Sequence, residues 1–230
     1  MTRQVALVED EAAIRDNYSD ALQRQGFVVR SYADRITAIE SFRRELPDMA
    51  IIDIGLGDDY EGGFELCREL RSLSPALPIM FLTARDSDLD TISGLRLGAD
   101  DYLTKNISVA QVIARVLALF RRIDIQQSDV AADDVHRVGD LTIDVNCMQV
   151  EWKSEKIDFT LTEFWMLNSI AKIPGHVKSR GQLMQDANIF VDDGTVTSHI
   201  KRVRRKFEQI DAEFDCIETI YGMGYRWNKK

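Results

Sequence analysis

Across residues 1–123, short β-branched runs alternate with amphipathic stretches of helical period. An alternation of this kind requires a parallel sheet with helices on both faces, because parallel strands are joined by crossovers that must lie over the sheet. Candidate strands cover residues 4–8, 27–31, 49–53, 79–83 and 101–104, with helical patterns between and after them. The clearest helix opens at Ser108, where Ser108 and Gln111 form a capping box and Val109, Val112, Ile113, Val116 and Phe120 recur at helical spacing. Five βα units give a doubly wound, five-stranded α/β sheet of the flavodoxin-like type.

The text changes at Asp124. Residues 124–136 are rich in Gln, Ser, Asp and Ala, with little apolar content, and read as a solvated linker between a first domain of residues 1–123 and a second of residues 137–230. After it come strand-like runs at 141–145, 149–152 and 156–159. A helix follows, opened by the capping box of Thr160 and Glu163, then helices near 179–185 and 195–209, and a hairpin over 216–227 turning at Gly222 and Gly224. That order of strands, three helices and a hairpin predicts a winged helix-turn-helix. No apolar run approaches the ~18 residues of a membrane span, and a cytoplasmic protein is expected. Cys67, Cys147 and Cys216 have no metal or CxxC spacing and read as small core residues.

In an open parallel sheet, ligands bind beyond the carboxyl ends of the strands. Those ends carry Glu9 and Asp10, then Asp53, Thr83 and Lys105. Any one of them alone is ordinary: an Asp that ends a strand is usually a turn residue. Together they form a set. Three clustered carboxylates imply a hard divalent cation, best fitted by Mg2+, while a hydroxyl and an ammonium beside them suit phosphoryl oxygens. This is the equipment of aspartyl-phosphate chemistry with Asp53 as nucleophile. Lys105 is also the only lysine before residue 124; the fourteen other basic groups there are arginines. A phosphatase using the same nucleophile would want a second carboxylate two residues on, and Gly55 stands there, so an enzyme is not expected.

The chain carries a formal charge of −9, unevenly spread: residues 195–207 hold five basic groups and no acid. On a helical projection Val196, Ile200, Val203 and Phe207 form an apolar stripe, with Ser198, Lys201, Arg202 and Arg205 opposite. A basic helix face followed by a glycine-hinged hairpin predicts a local polyanion site.

The segments Val8-Glu-Asp-Glu11, Ile51-Ile-Asp53, Phe81-Leu-Thr-Ala-Arg85 and Gly98-Ala-Asp-Asp-Tyr-Leu-Thr-Lys105 resemble receiver domains of the OmpR/PhoB response regulators. Leu161-Thr-Glu-Phe164, Val177-Lys-Ser-Arg180, Thr195 to Lys206 and Ile217 to Tyr225 resemble that family's effector domain. The resemblance implies Mg2+ on Asp10, Asp53 and the carbonyl of Gly55, with Glu9 as second acid. It implies Thr83 as switch hydroxyl, Tyr102 as switch aromatic, Lys105 as phosphate partner, and a sensor histidine kinase as phosphoryl donor. A homodimer would form through a face carrying Asp100, Asp101, Arg115 and Arg122, and bind promoter DNA in concert with RNA polymerase. Arg202, with Thr197, Ser198 and Lys201, would read base edges; Arg180, Arg204, Arg205 and Lys206 would hold phosphates, and Tyr221 and Arg226 would lie on the wing. The chain departs from the pattern at Asn106, where proline is usual, and in a longer acidic loop after Asp53 (Asp58, Asp59, Glu61). It departs again at Thr91, Arg96, Gln111 and Leu117 on the dimer face, and at Gly194 and Tyr221, where arginine is usual.

Overall fold

A computed structural model describes residues 2–85, 94, 97–128, 135–187 and 193–228. The chain packs as two units, residues 1–117 and 118–230.

The first unit contains β1 (Gln4–Val8), α1 (Ala12–Arg24), β2 (Val28–Tyr32), α2 (Arg35–Phe42), β3 (Met49–Ile52), α3 (Gly62–Leu73), β4 (Ile79–Thr83), β5 (Asp101–Thr104) and the start of α4 (Val109–Ser128). All five strands are parallel, in the order β2-β1-β3-β4-β5. β3 and β4 are buried at every position, as covers on both faces demand, and their sequences are continuous apolar runs rather than alternating ones. Val28, on the edge strand β2, is by contrast nearly half exposed. The strand order reverses between β1 and β3, so the carboxyl ends of β1, β3 and β4 open on one crevice. The expected capping box forms: Ser108 N donates to Gln111 Oε1 (3.0 Å) and Gln111 N to Ser108 Oγ (3.3 Å).

Both ends of the expected linker turn out to be regular structure. α4 continues to Ser128, and β6 (Val135–Val138) begins before residue 137. The linker reading missed β6 because Val135-His-Arg-Val138 is short and half polar, although it pairs with β7 in a tight hairpin closed by Val138 and Leu141.

In the second unit β6, β7 (Leu141–Asp144), β8 (Gln149–Trp152) and β9 (Glu155–Ile157) form an antiparallel meander. Lys153 and Ser154 both have positive φ, as a two-residue hairpin turn between β8 and β9 requires. Then come α5 (Leu161–Ala171), α6 (Arg180–Asp186), α7 (Asp193–Glu208) and the hairpin of β10 (Ile217–Ile220) and β11 (Gly224–Trp227). Val196, Ile200, Val203 and Phe207 of α7 are fully buried, as projected. Phe207 stacks on Phe214 (centroids 4.3 Å apart, 6° between planes), and both meet Trp152 and Trp227, so one aromatic cluster joins α7 to the meander and the hairpin. Gly224 is obligatory: its φ is +140°, and a Cβ there would lie 2.0 Å from the Lys178 carbonyl oxygen. Of the cysteines only Cys67 is a core residue. Cys216 is half-buried, and Cys147 is exposed in the β7–β8 turn, where its N–H bonds Asp144 Oδ1.

Candidate functional sites: the acid cluster and the basic helix

The crevice brings together the residues that the strand ends predicted. Glu9 and Thr83 are each 1% exposed and Asp53 7%, while Asp10 lies at the surface. Lys105 Nζ sits 2.6 Å from Asp53 Oδ2 and 2.7 Å from Glu9 Oε2. Its main chain is fixed by an N–H bond to the Thr83 carbonyl (2.8 Å), so the lysine reaches the carboxylates with Asn106, not proline, behind it. Asp53 Oδ1 accepts from Ile54 N (2.6 Å), and Asp10 Oδ2 from Gly57 N (3.0 Å). One carboxylate oxygen each from Glu9, Asp10 and Asp53 lies within 4.8 Å of the others.

Burial pushes the Glu9 carboxyl above its usual range; the charge of Asp53 adds to this, and Lys105 opposes it. Burial would lower the Lys105 ammonium, but its hydrogen bonds and attraction to Asp53 and Glu9 outweigh that, and its pKa is raised. The ammonium therefore stays charged among the acids.

Helix α3 approaches closely enough that a Cβ on Gly63 would lie 2.0 Å from the Asp53 carbonyl oxygen. The acidic loop between them is anchored from outside: Arg35 bonds Asp59 (3.1 Å) and Glu69 (2.9 Å). Asp58 and Glu61 are exposed. Arg85 crosses from the end of β4 to this loop. Its guanidinium lies 3.7 Å from the Tyr60 ring centroid and donates to the Tyr60 carbonyl, while its own N–H bonds Thr83 Oγ1 (3.3 Å). The Tyr102 hydroxyl donates to the Arg85 carbonyl (3.0 Å), so the two expected switch residues meet on Arg85. Neither Arg35 nor Arg85 stands out in the sequence, because each acts across a long chain separation.

The dimer-face expectation needs correction at Asp100. It is 0% exposed and accepts from Arg71 Nη2 (2.8 Å) and Ile79 N (3.0 Å), holding α3 and β4 from inside. Asp101 is also buried, and pairs with Arg115 of the same chain at 3.3 Å. Gln111 lies on α4, capping its first turn, and Leu117 is partly exposed; Thr91, Arg96 and the side chain of Arg122 lie outside the described residues.

In the second unit the basic run divides into two sets. Glu163, 1% exposed, closes the expected capping box with Thr160. The same carboxylate takes Arg202 Nε on one oxygen (2.8 Å) and Lys206 Nζ on the other (2.6 Å). Burial works against this carboxylate, yet the charges of Arg202 and Lys206 hold it down at about 2. Arg202 also contacts His199 Nδ1, and Lys206 donates to the Asp158 carbonyl (2.8 Å). Arg204 donates to the Ile217 carbonyl (2.9 Å) and to Thr219 Oγ1 (2.8 Å), tying α7 to β10. Arg226 pairs with Glu218 across the hairpin at 2.7 Å. The other set is exposed: Thr197, Lys201 and Arg205, spaced four residues apart. Arg180 Nε approaches Thr197 Oγ1 at 3.5 Å, and the Tyr225 hydroxyl donates to that same oxygen at 3.1 Å. Ser198 turns back on the Gly194 carbonyl (3.1 Å), and Tyr221, 95% exposed, stands at the hairpin tip. The sequence reading saw Glu163 only as a cap, since its ion pairs span some forty residues of chain.

A five-stranded parallel sheet with this acid cluster, followed by a winged helix with an exposed basic stripe, defines a two-component response regulator with a DNA-binding effector domain. Comparison with known proteins agrees. Residues 5–117 match the response regulator receiver domain and residues 154–227 the C-terminal domain of transcriptional regulatory proteins. The chain is 39% identical over 226 residues to the transcriptional regulatory protein CreB of Escherichia coli K12, covering 96% of each. It is 36% identical over 236 residues to the transcriptional regulatory protein BaeR of E. coli O6:H1, covering 98% of this chain and 93% of BaeR. The solved structure of DrrB, an OmpR/PhoB homolog of Thermotoga maritima, aligns over 99% of this chain and all of its own with a TM-score of 0.53 and 28% identity. The chain belongs to the OmpR/PhoB family of response regulators. Among the described residues no helix is long and apolar enough to cross a membrane.

Proposed function

We propose that this regulator accepts a phosphoryl group on Asp53 from the phosphohistidine of a sensor histidine kinase, and in that state pairs with a second copy and binds promoter DNA in the cytoplasm. The seating of Lys105 on both Asp53 and Glu9, with the buried Thr83 at the end of the neighbouring strand β4, carries the reading. A carboxylate oxygen of Asp53 forms the new O–P bond as the N–P bond of the donor breaks, its electron pair returning to the imidazole. Lys105 neutralises the added charge, and Thr83 donates its hydroxyl to a phosphoryl oxygen.

The clustered oxygens of Glu9, Asp10 and Asp53 suit a hard divalent cation, and Asp10, Asp53 and the Gly55 carbonyl would hold Mg2+, with Glu9 as second acid. When bound, the ion supplies charge neutralisation for the phosphoryl oxygens. Recruitment of Thr83 pulls on the turn that ends at Arg85, whose carbonyl holds Tyr102, and so passes the event to the surface beside β5. Pairing there uses Asp101, Arg115 and Arg122. The Asp101–Arg115 pair within one chain must then exchange partners.

We assign the receiver to the residues up to the end of α4 at Ser128 and the effector to the residues from Val135, where β6 begins, onward; the effector recruits RNA polymerase at the promoter. Incubation with acetyl phosphate and Mg2+, read by phosphate-affinity electrophoresis, tests the assignment. A shifted band is expected for the wild type and none for Asp53→Asn; a shift that survives the substitution overturns it.

A further inference from the structure

The exposed cations of α7 are not the ones that a count of its basic residues suggests. Five basic side chains lie between Thr195 and Phe207. Arg202 and Lys206 share the buried carboxylate of Glu163, and Arg204 is spent on the Ile217 carbonyl and Thr219. On the hairpin, Arg226 is paired with Glu218. A half-buried guanidinium that is ion-paired to a buried carboxylate cannot fork onto a base edge without leaving that carboxylate with one fewer partner, which is costly.

Lys201 and Arg205 remain, one helical turn apart, in line with Thr197. Arg180 extends the line from α6, and the Tyr225 hydroxyl fixes Thr197 at its head. Arg180 and Arg204 both lie against the Tyr225 ring, at 5.5 and 5.8 Å from its centroid.

Resting on the DNA-binding reading, we infer that the surface of α7 facing the duplex is the stripe Thr197–Lys201–Arg205 with Arg180 at its head, that Lys201 is the residue reading base edges, and that Glu163 withholds Arg202 and Lys206 from DNA. Glu163 is thus a positioning residue with an electrostatic consequence. By absorbing two cations it limits sequence-independent attraction to phosphates, which grows with every free positive charge. A lysine in the reading position favours guanine, whose O6 and N7 both accept hydrogen bonds in the major groove.

The test uses the full-length protein. DNA bound by the wild type is selected from a random pool, and its affinity is then measured by fluorescence anisotropy over a range of salt concentrations, beside an unrelated duplex. Lys201→Ala is expected to weaken the selected duplex about 5- to 100-fold, to relax the selected sequence at one position per half-site, and to weaken the unrelated duplex far less. Glu163→Gln, which keeps the capping hydrogen bonds, is expected to tighten binding to the unrelated duplex and to steepen its salt slope by about one to two units per domain. Glu163→Asp, which keeps the charge, should restore the wild-type slope. Arg202→Met, with tryptophan fluorescence confirming a folded effector, should select the same sequence as the wild type. A changed base preference in Arg202→Met, or an unaltered slope in folded Glu163→Gln, overturns the inference while leaving DNA binding intact. Failure of the wild type to enrich any sequence overturns the DNA-binding reading itself.

Discussion

Lys105 Nζ lies 2.6 Å from Asp53 Oδ2 and 2.7 Å from Glu9 Oε2, so one ammonium serves two buried acids from the ends of different strands. Its presence keeps Glu9 from rising further than burial and Asp53 already push it. In Lys105→Ala the carboxyl of Glu9 is therefore expected to titrate at a higher pH than in the wild type. Carbon-13 detected NMR titration of the carboxyl groups checks this; an unchanged Glu9 midpoint would show that the pair contributes nothing to its ionisation.

Gly63 allows α3 to rest on the peptide that follows Asp53. With a Cβ only 2.0 Å from the Asp53 carbonyl oxygen, Gly63→Ala must push the helix or the acceptor strand aside. We expect a loss of about 1–3 kcal/mol in receiver stability, together with slower phosphoryl labelling of Asp53. Thermal unfolding followed by circular dichroism and a labelling time course provide the two readings.

Asp100 acts as an internal brace. Removing its carboxylate in Asp100→Ala leaves Arg71 partly buried with carbonyl partners alone, and leaves Ile79 N without its acceptor. A destabilisation of about 3 kcal/mol is expected. Hydrogen exchange should show faster opening of amides in β4 and in the C-terminal turn of α3. A fully stable variant that merely fails to dimerise would return Asp100 to the surface role first expected of it.

Glu163 predicts an acid sensitivity confined to the effector. Its folded pKa of about 2 lies below the ordinary 4.5, so the carboxylate's contribution is complete above pH 4.5 and is lost as the pH falls toward 2. The difference corresponds to about 3 kcal/mol. Trp152, Trp165 and Trp227 all lie in the second unit, so tryptophan fluorescence reports its unfolding alone. Glu163→Gln should flatten the decline between pH 4.5 and 2 in urea midpoints.

The parallel sheet and the acid cluster were legible because each depends on local signals. Strand ends, apolar runs and capping boxes are written in a few neighbouring residues, and the crevice follows from the connection rule for such sheets. What could not be read were choices made by distant partners. Asp100 and Asp101 both sit inward, the first claimed by Arg71, 29 residues earlier, and the second by Arg115. Arg202 and Arg205 look alike on a helical wheel until Glu163 claims one of them. Cys147 falls in a turn and is exposed, although cysteines of its kind are usually buried.

The stacking of Phe207 on Phe214, with Trp152 and Trp227 packed edge-on around them, locks the last turn of α7 to the base of the hairpin. Such a cluster admits no sliding of helix past wing, since interiors packed to crystal density resist shear. The distance between the two is therefore a fixed gauge. Where an operator does not match that gauge, the duplex must bend or change its groove width, and the stiffness of the base steps between the contacts becomes part of what this effector selects.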